Sequence, residues 1–369
     1  MAAAPETKQA IAKLTPLADV LALIERDVKP LAPRTLAVAH ALHRVLAADA
    51  VAPARPARPI ALIDGFALAS EATLDASGYV PAPLARVPPR VDAGELLPPG
   101  ADCVAPIGTI KTSGARAESL VPIHPGDNVL PAGGDSDGRA PLRRAGENLR
   151  AIDLAALTSA GVGEVNIRAP RVRIVARDDP VIGGVRRLVA TDCAGQGGDV
   201  AQTAMELAPA LGDAEADFVV AVGGTGGGRK DRNVQTLARE GQLAVHGIGL
   251  MPGETAAFGF ASGRPVLMLP GRLDGALAGW LVVGRVIMKR LTQRASEDAS
   301  LTLKLSRKIA SPPGLAQLVP VRRGGDMAQP LVAKYLGFST LAGSDGYVLV
   351  PAESEGYSAD TAVSVWPWP

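Results

Sequence analysis

The stretch Val222-Gly223-Gly224-Thr225-Gly226-Gly227-Gly228-Arg229-Lys230-Asp231 decides how the rest of the chain is read. It follows the apolar run Ala216-Asp217-Phe218-Val219-Val220-Ala221-Val222, which reads as a buried strand, and precedes a helical pattern from Asn233 to Glu240. Five of the six residues from Gly223 to Gly228 are glycine, so the backbone can turn sharply and approach a ligand without a Cβ in the way. Inward-pointing amides at a strand-to-helix turn form a nest for an anion, typically a phosphate. Arg229 and Lys230 add positive charge, and Asp231 could hold a metal ion or a hydroxyl. A glycine-rich surface loop without a ligand is the alternative. The spacing matches neither a Walker loop nor GxGxxG, so some other phosphate-bearing ligand is implied.

A chain of 369 residues is expected to form two to four domains. Hydrophobic residues make up 47% but aromatics only 3%, so the cores must be built from Ala, Val and Leu. A net charge of +1 argues against sequence-independent binding of nucleic acid. The basic residues are mostly Arg, which a GC-rich coding sequence explains as well as function does. Cys103 and Cys193 lack metal-ligand spacing and read as reduced structural thiols of a cytosolic protein. No apolar run reaches membrane-spanning length and no signal-peptide core is visible, so a soluble, cytoplasmic protein is expected.

Along the chain, residues 1–10 are expected to fray. Helical spacing is read in Leu17–Ile24 and again in Ala37–Ala48, through Leu42, Val45 and Leu46. A Pro-rich connector, Ala52–Pro59, leads into short strands over residues 60–130, among them Arg86-Val87, Asp102–Ala105 and Ser119–Ile123. Arg150–Ala160 reads as a helix closed by Gly161, followed by a strand at Val165–Ile167. Residues 170–295 alternate strands (Val172–Val175, Phe218–Val222, Gln242–His246, Pro265–Leu269) with helices (Ala201–Leu211, Asn233–Glu240, Leu277–Leu291). That alternation predicts a mainly parallel sheet with ligands at the carboxyl ends of its strands. Beyond Ser296 the pattern is β again: Leu301–Leu305, Ala316–Val321, Gly346–Pro351 and Ala362–Trp366. The fold class is α/β multidomain: an α/β domain, a β-rich inserted module and a C-terminal β domain. There is no internal repeat.

Several acids stand at turns. Asp64, in Ile63-Asp64-Gly65-Phe66-Ala67, is either a turn former or a carboxylate presented to a neighbouring site. Asp135 and Asp137, in Gly133–Gly138, are spaced like ligands of a hard cation without the full calcium-loop pattern, and a solvated turn is the competing reading. Arg177-Asp178-Asp179-Pro180 follows a strand, where α/β sites gather. Asp199 suits a helix cap better than a ligand role. Together Asp178, Asp179, Asp199 and Asp231 could surround one cleft and favour Mg²⁺ between carboxylates and phosphates. Leu269-Pro270-Gly271-Arg272 ends another strand, where Arg272 could meet an anion or the turn could serve packing alone. His40, His43, His124 and His246 are scattered, which argues against zinc, and no Ser/His/Asp or Cys/His arrangement emerges.

In this order the segments resemble the molybdopterin molybdotransferase family (bacterial MoeA, the gephyrin E domain) over residues 15–369. "MDGYA" is similar to Ile63–Ala67, "TGAPLPxGADAVV" to Ala93–Val104, and "NxRxxGED" to Asn128–Asp135. "LASxGxxxVxV" is similar to Leu157–Ile167, and "GGxSxGxxD" to Gly223–Asp231. "PGKP" corresponds to Pro252–Thr255, "LPGNP" to Leu269–Leu273, and the terminal "ADGxxxxP" region to Ser344–Val363. The resemblance implies four parts: domain I at 28–50 and 137–168, domain II at 51–136, domain III at 8–27 and 169–296, and domain IV at 297–369. It implies an elongated, L-shaped subunit in a head-to-tail homodimer, with the cleft between domain III and the partner's domains I and II. Adenylylated molybdopterin and molybdate are then the substrates and Mg²⁺ the metal, with AMP released as molybdenum enters the dithiolene. By motif, Asp64, Asp135, Asp178 and Asp231 take the catalytic positions, and Asp178, Asp179, Asp199 and Asp231 the metal positions. Gly223, Gly224, Thr225, Gly226, Gly227, Gly228, Arg229, Pro270, Gly271 and Arg272 take the cofactor-binding positions. A molybdopterin adenylyltransferase or client molybdoenzymes are the implied partners, with no nucleic acid and no membrane.

The departures bear on activity. Ala93 replaces the Thr of "TGAP", Arg177 and Asp179 replace the Gly and Glu of "TGDEL", and Gly226 replaces the Ser of the glycine loop. Glu254 stands for the Lys of "PGKP", while Arg272 and Leu273 replace the Asn and second Pro of "LPGNP". At 4 Å and an effective dielectric near 20, each sign of such a charge change is worth about 4 kcal/mol before relaxation. Three readings follow: a molybdotransferase with an altered site, a paralogue that binds molybdopterin or molybdate without turnover, and an adenylyltransferase. The flanking β modules argue against the third.

Overall fold

The computed structural model describes residues 9–203, 206–229, 231–295, 299–331 and 335–369. Its centre is a six-stranded sheet in the order Asp199–Thr203, Arg171–Ala176, Phe218–Val222, Arg264–Leu269, Ala257–Ala261, Gln242–His246. The first four run parallel, Ala257–Ala261 pairs antiparallel with Arg264–Leu269 as a hairpin, and Gln242–His246 pairs antiparallel with Ala257–Ala261 at the edge. Every residue of Phe218–Val222 is buried, as a strand covered on both faces requires. One face packs under helices Leu17–Asp27, Pro180–Gly195 and Leu273–Gly279, through Val20, Ile24, Val185, Val189 and Trp280. The other lies under Leu207–Gly212 and Asn233–Glu240, through Leu207, Leu211, Val234 and Leu237.

The chain leaves Arg171–Ala176 by the Pro180–Gly195 helix on one face and reaches Phe218–Val222 by Leu207–Gly212 on the other. Those two strands are neighbours, so a topological switch lies between them, the place where open α/β sheets bind ligands.

Strands Ala316–Gly324, Met327–Pro330, Leu301–Leu305, Ala362–Pro367 and Gly346–Val350 pair in sequence, and the last pairs back to the first. This closed ring is the C-terminal β domain, filled by Leu305, Val319, Val321, Val348 and Val350. Leu250–Met251 adds to it in parallel beside Ala316–Gln317, tying the α/β domain to the ring. Upstream, small sheets with their own cores form the β-rich module. Helix Ala151–Ser159 and strands Arg34–Ala37, Val45–Leu46 and Glu164–Arg168 form a further compact unit.

Three local expectations are corrected. Ala37–Ala48 is not a helix: Val45–Leu46 pairs with Ile167–Arg168, and Leu42, counted in the helical spacing, is 43% exposed. Ala201–Leu211 divides into the end of a strand and a helix beginning at Leu207, because residues 199–203 are captured by the sheet edge. Arg86-Val87 forms no strand; the neighbouring pairing uses Arg90–Val91. The Pro180–Gly195 helix was not anticipated, although Asp179 caps it by accepting from the Val181 and Ile182 amides and Pro180 opens it. Gly183-Gly184 masks its pattern. The Leu277–Leu291 helix is interrupted by a π-helical turn at Trp280–Gly284. Its Trp280 and Arg285 both donate to buried Asp192.

Candidate functional site

The carboxyl ends of the three adjacent parallel strands Arg171–Ala176, Phe218–Val222 and Arg264–Leu269 carry Arg177–Asp179, Gly223–Gly228 and Pro270–Arg272. Two of these loops touch: a Cβ on Gly271 would stand 3.5 Å from the Gly223 Cα, and Ile182 packs under both. Gly223 and Gly224 have φ of +85° and +72°, which glycine adopts without penalty. A Cβ on Gly224 would also come within 2.8 Å of the Asn233 side-chain nitrogen, so this position needs glycine twice over.

Four successive carbonyls of the glycine loop are held by side chains. Asn233 Nδ2 donates to Gly223 O at 2.8 Å, and Gln9 Nε2 donates to Gly224 O at 2.9 Å and Gly226 O at 2.7 Å. His246 Nε2 lies 3.0 Å from Thr225 O and, facing a carbonyl, carries the hydrogen. In a planar trans peptide the next N–H points opposite to the carbonyl. The amides of Gly224, Thr225, Gly226 and Gly227 therefore turn away from the bracing side chains, and among the described residues none has a hydrogen-bond partner. Four adjacent unpaired donors at a strand's carboxyl end can hold the oxygens of a phosphate.

The walls extend from here. Thr225, 2% exposed, bonds through its hydroxyl to Thr255 at 3.1 Å, bringing the Pro252–Thr255 segment against the loop. Glu254 is in that segment, one residue before Thr255, and its carboxylate accepts from the Gly253 amide at 3.0 Å. Gly253 and Gly275 approach so closely that a Cβ on Gly275 would lie 3.5 Å from the Gly253 Cα. An apolar cleft of about 380 Å³, lined by Pro180, Val181, Gly184, Leu188, Leu273 and Phe338, opens next to Asp179 and Arg272.

The expected residues divide. Asp231 is at the loop: its Oδ2 accepts from the Gly228 amide at 3.1 Å and lies 3.0 Å from where a Cβ on Gly226 or Gly228 would be. Asp178 and Arg177 are exposed at the same edge, and Arg229 is exposed on the loop; none of the three has a side-chain partner among the described residues. Arg272 is engaged with Asp274 at 3.1 Å and stacks 5.8 Å from the Tyr335 ring centre, so it is less available to an anion than its position suggests. Lys230 lies outside the described residues.

The four-carboxylate metal set does not assemble. Asp199 begins its strand, at the opposite edge of the sheet, and pairs there with Arg34 and Arg44. It caps no helix either. Asp179 is committed to the cap of Pro180–Gly195. Among the described residues no group of three acidic, His or Cys side chains could enclose a metal ion. Asp64 and Asp135 are in the β-rich module, and among the described residues neither has a hydrogen bond or ion pair to the glycine loop. The Asp64 carboxylate accepts from the Ala93 amide at 2.8 Å, and the Asp135 amide donates to Arg55 O at 2.9 Å. They flank opposite ends of the short ribbon Ile60–Ala61/Val129–Leu130, near Asn128 and Pro56 respectively, so they do not form one cluster within a chain. Asp137 closes its own turn through the Arg139 and Ala140 amides. Burial pushes the Cys103 thiol up to about 12 and raises Cys193 as well, so both are neutral packing groups.

Gln9, Asn233, His246 and Thr255 were missed as contributors. Asn233 at a helix start after glycines gave a weak signal; Gln9 gave none, because its role depends on a contact 217 residues away. The fraying expected through residue 10 is wrong for Gln9, which is 8% exposed; residues 1–8 lie outside the described residues.

Comparison with known proteins agrees with this layout. Residues 15–161 match the MoeA N-terminal region (domain I and II), 196–293 a probable molybdopterin binding domain, and 302–368 the MoeA C-terminal region (domain IV). A protein of Methanocaldococcus jannaschii named for molybdopterin biosynthesis is 26% identical over 368 residues, covering 89% of this chain and 90% of that one. The crystal structure of a molybdopterin biosynthesis MoeA protein from Pyrococcus horikoshii superposes with a TM-score of 0.74 at 24% identity, over 97% of this chain and 100% of that one. A molybdenum cofactor biosynthesis protein from Pyrococcus furiosus gives a TM-score of 0.58 at 19% identity, over 96% and 99% of the two chains. With the fold shared along nearly its whole length and three family regions matched in chain order, this chain belongs to the MoeA family of molybdenum cofactor biosynthesis proteins.

Proposed function

We propose that the chain inserts molybdate into adenylylated molybdopterin and releases AMP. The observation that carries this reading is the run of four amides, Gly224 to Gly227, without hydrogen-bond partners among the described residues, at the switch point of a mainly parallel sheet. Donors fixed before the ligand arrives need no reorganisation when charge develops on a phosphate, the condition for electrostatic stabilisation. Arg229 adds long-range attraction, and the apolar cleft beside Asp179 offers surface to a ring-bearing ligand. Mg²⁺ is commonly held by one or two carboxylates together with phosphate oxygens, and Asp178 and Asp231 are the carboxylates at this edge that would hold it. Bound there, it would neutralise phosphate charge. We further propose a cytoplasmic homodimer in which Asp64 and Asp135 of the β-rich module serve the partner's cleft.

Incubation of the purified protein with adenylylated molybdopterin, Mg²⁺ and molybdate tests the reaction. Stoichiometric AMP release with metal-loaded cofactor supports it; protein that binds the nucleotide yet leaves it intact for hours overturns it. Glu254, where the family motif has Lys, favours one second reading, a paralogue that holds the pterin without turnover, since a carboxylate in the segment that bonds the loop through Thr255 opposes an oxyanion co-substrate. Tight retention without AMP release is the outcome expected of it.

A further inference from the structure

We infer that Gln9 is a positioning residue for the glycine loop, and that residues 9–16 act as a strap fixing the orientation of its amides. One Gln9 amide nitrogen donates to both Gly224 O and Gly226 O, while its Oε1 accepts from the Gln235 amide at 3.3 Å. The whole polar end of the side chain is spent on the loop and the first turn of the helix after it. Holding those two carbonyls orients the Thr225 and Gly227 amides oppositely, because each peptide is planar. The far end of the strap is fixed too: the Thr15 amide donates to Gly247 O at 2.9 Å and the Gly249 amide to Thr15 O at 2.7 Å. Between these anchors Ile11 and Leu14 press on Gly247, where a Cβ would come within 2.5 Å of Ile11. Gly247 follows His246, which holds the Thr225 carbonyl, so the strap braces a third carbonyl through its neighbour. A five-glycine loop has almost no intrinsic preference for one conformation, so its order must come from such outside contacts. The family match begins at residue 15, so Gln9 lies outside the matched span.

The anion-binding consequence rests on the function proposed above; the bracing does not. The full-length protein and its Gln9→Met, Gln9→Glu and Gln9→Lys variants are compared by three measurements. These are tryptic cleavage after Arg229, inorganic pyrophosphate affinity by calorimetry, and pyrophosphate-induced shifts of the Gly224–Gly227 amide resonances. Gln9→Met, uncharged and of similar length, is expected to speed cleavage and weaken pyrophosphate about tenfold, with smaller amide shifts. Gln9→Lys, whose ammonium can donate to both carbonyls, is expected to restore slow cleavage. An effect seen in Gln9→Glu but not in Gln9→Met would assign the change to charge and overturn the strap. So would a Gln9→Lys protein cleaved as fast as Gln9→Met. If the unaltered protein binds no pyrophosphate, the anion reading falls alone, and the cleavage rates still decide the strap.

Discussion

The two edges of the central sheet both carry charged residues and use them differently. At the amino edge Arg171 pairs with Asp217 and Glu215, Arg173 with Asp213, and Asp199 with Arg34 and Arg44. At the carboxyl edge Arg177, Asp178 and Arg229 have no side-chain partner among the described residues, and four consecutive amides are unpaired. At the first edge Asp199 joins modules, since Arg34 and Arg44 come from outside the α/β domain, while the Arg171 and Arg173 pairs close contacts within it. The second commits only part of its polar groups to protein: Asp179 caps a helix and Arg272 pairs with Asp274. An acid's place along its strand therefore separates a structural carboxylate from a candidate ligand, and its presence in a motif does not.

The largest effect expected is at Asp192, whose helix runs back toward the paired edge. Asp192→Ala leaves Arg285 and the Trp280 N–H without their buried acceptor and should cost about 3–5 kcal/mol. Denaturant unfolding would read this, with pyrophosphate affinity unchanged in the folded fraction. At the carboxyl edge Gly224→Val places a branched Cβ at φ +72° against Asn233 and should weaken pyrophosphate about a hundredfold. Calorimetry showing unaltered binding would erase the distinction between the edges. Glu254→Lys should tighten the same probe about tenfold at low salt, shrinking as salt rises. Asp199→Ala should lower stability by about 1 kcal/mol, solvent screening keeping the figure small, and leave ligand binding alone. A loss of anion affinity there would return Asp199 to the site.

The smallest effect is on acid stability. Burial raises the Asp217 carboxyl, but hydrogen bonds from Arg171 outweigh it and hold the group below the ordinary carboxylate range. The Glu215 amide, then Arg173, lower Asp213. A depressed carboxylate stabilises the fold at pH values above its unfolded pKa, and the contribution is lost as pH falls through the folded value. Stability from this edge should therefore decline below about pH 4. Arg171→Met should flatten that decline in a melting series from pH 6 to 3.

Much of the fold could be read from residue order. Phe218–Val222, Asn233–Glu240 and the C-terminal strands follow patterns in which burial and periodicity agree. The errors fall where neighbours overrule local pattern. Val45–Leu46 has helical spacing with Leu42, yet Glu164–Arg168 offers its ladder bonds. Asp199–Thr203 adjoins a helical stretch, yet the sheet edge captures it. The candidate site shows the same limit. The glycine loop announces itself by composition, while its bracing by Gln9 and His246 does not, since neither side chain carries a motif.

By itself the sequence determined the alternation of strand and helix, the glycine loop between a buried strand and a helix, and the family to which the chain belongs. These depend on side-chain period, on glycine's freedom and on the order of short motifs, all local properties. Tertiary structure alone decided which acids stay unpaired, that Asp199 is a tie between modules, and which way the loop amides face. Those outcomes depend on partners brought together from distant parts of the chain, and a charge or a peptide has no assigned role until its neighbours in space are known.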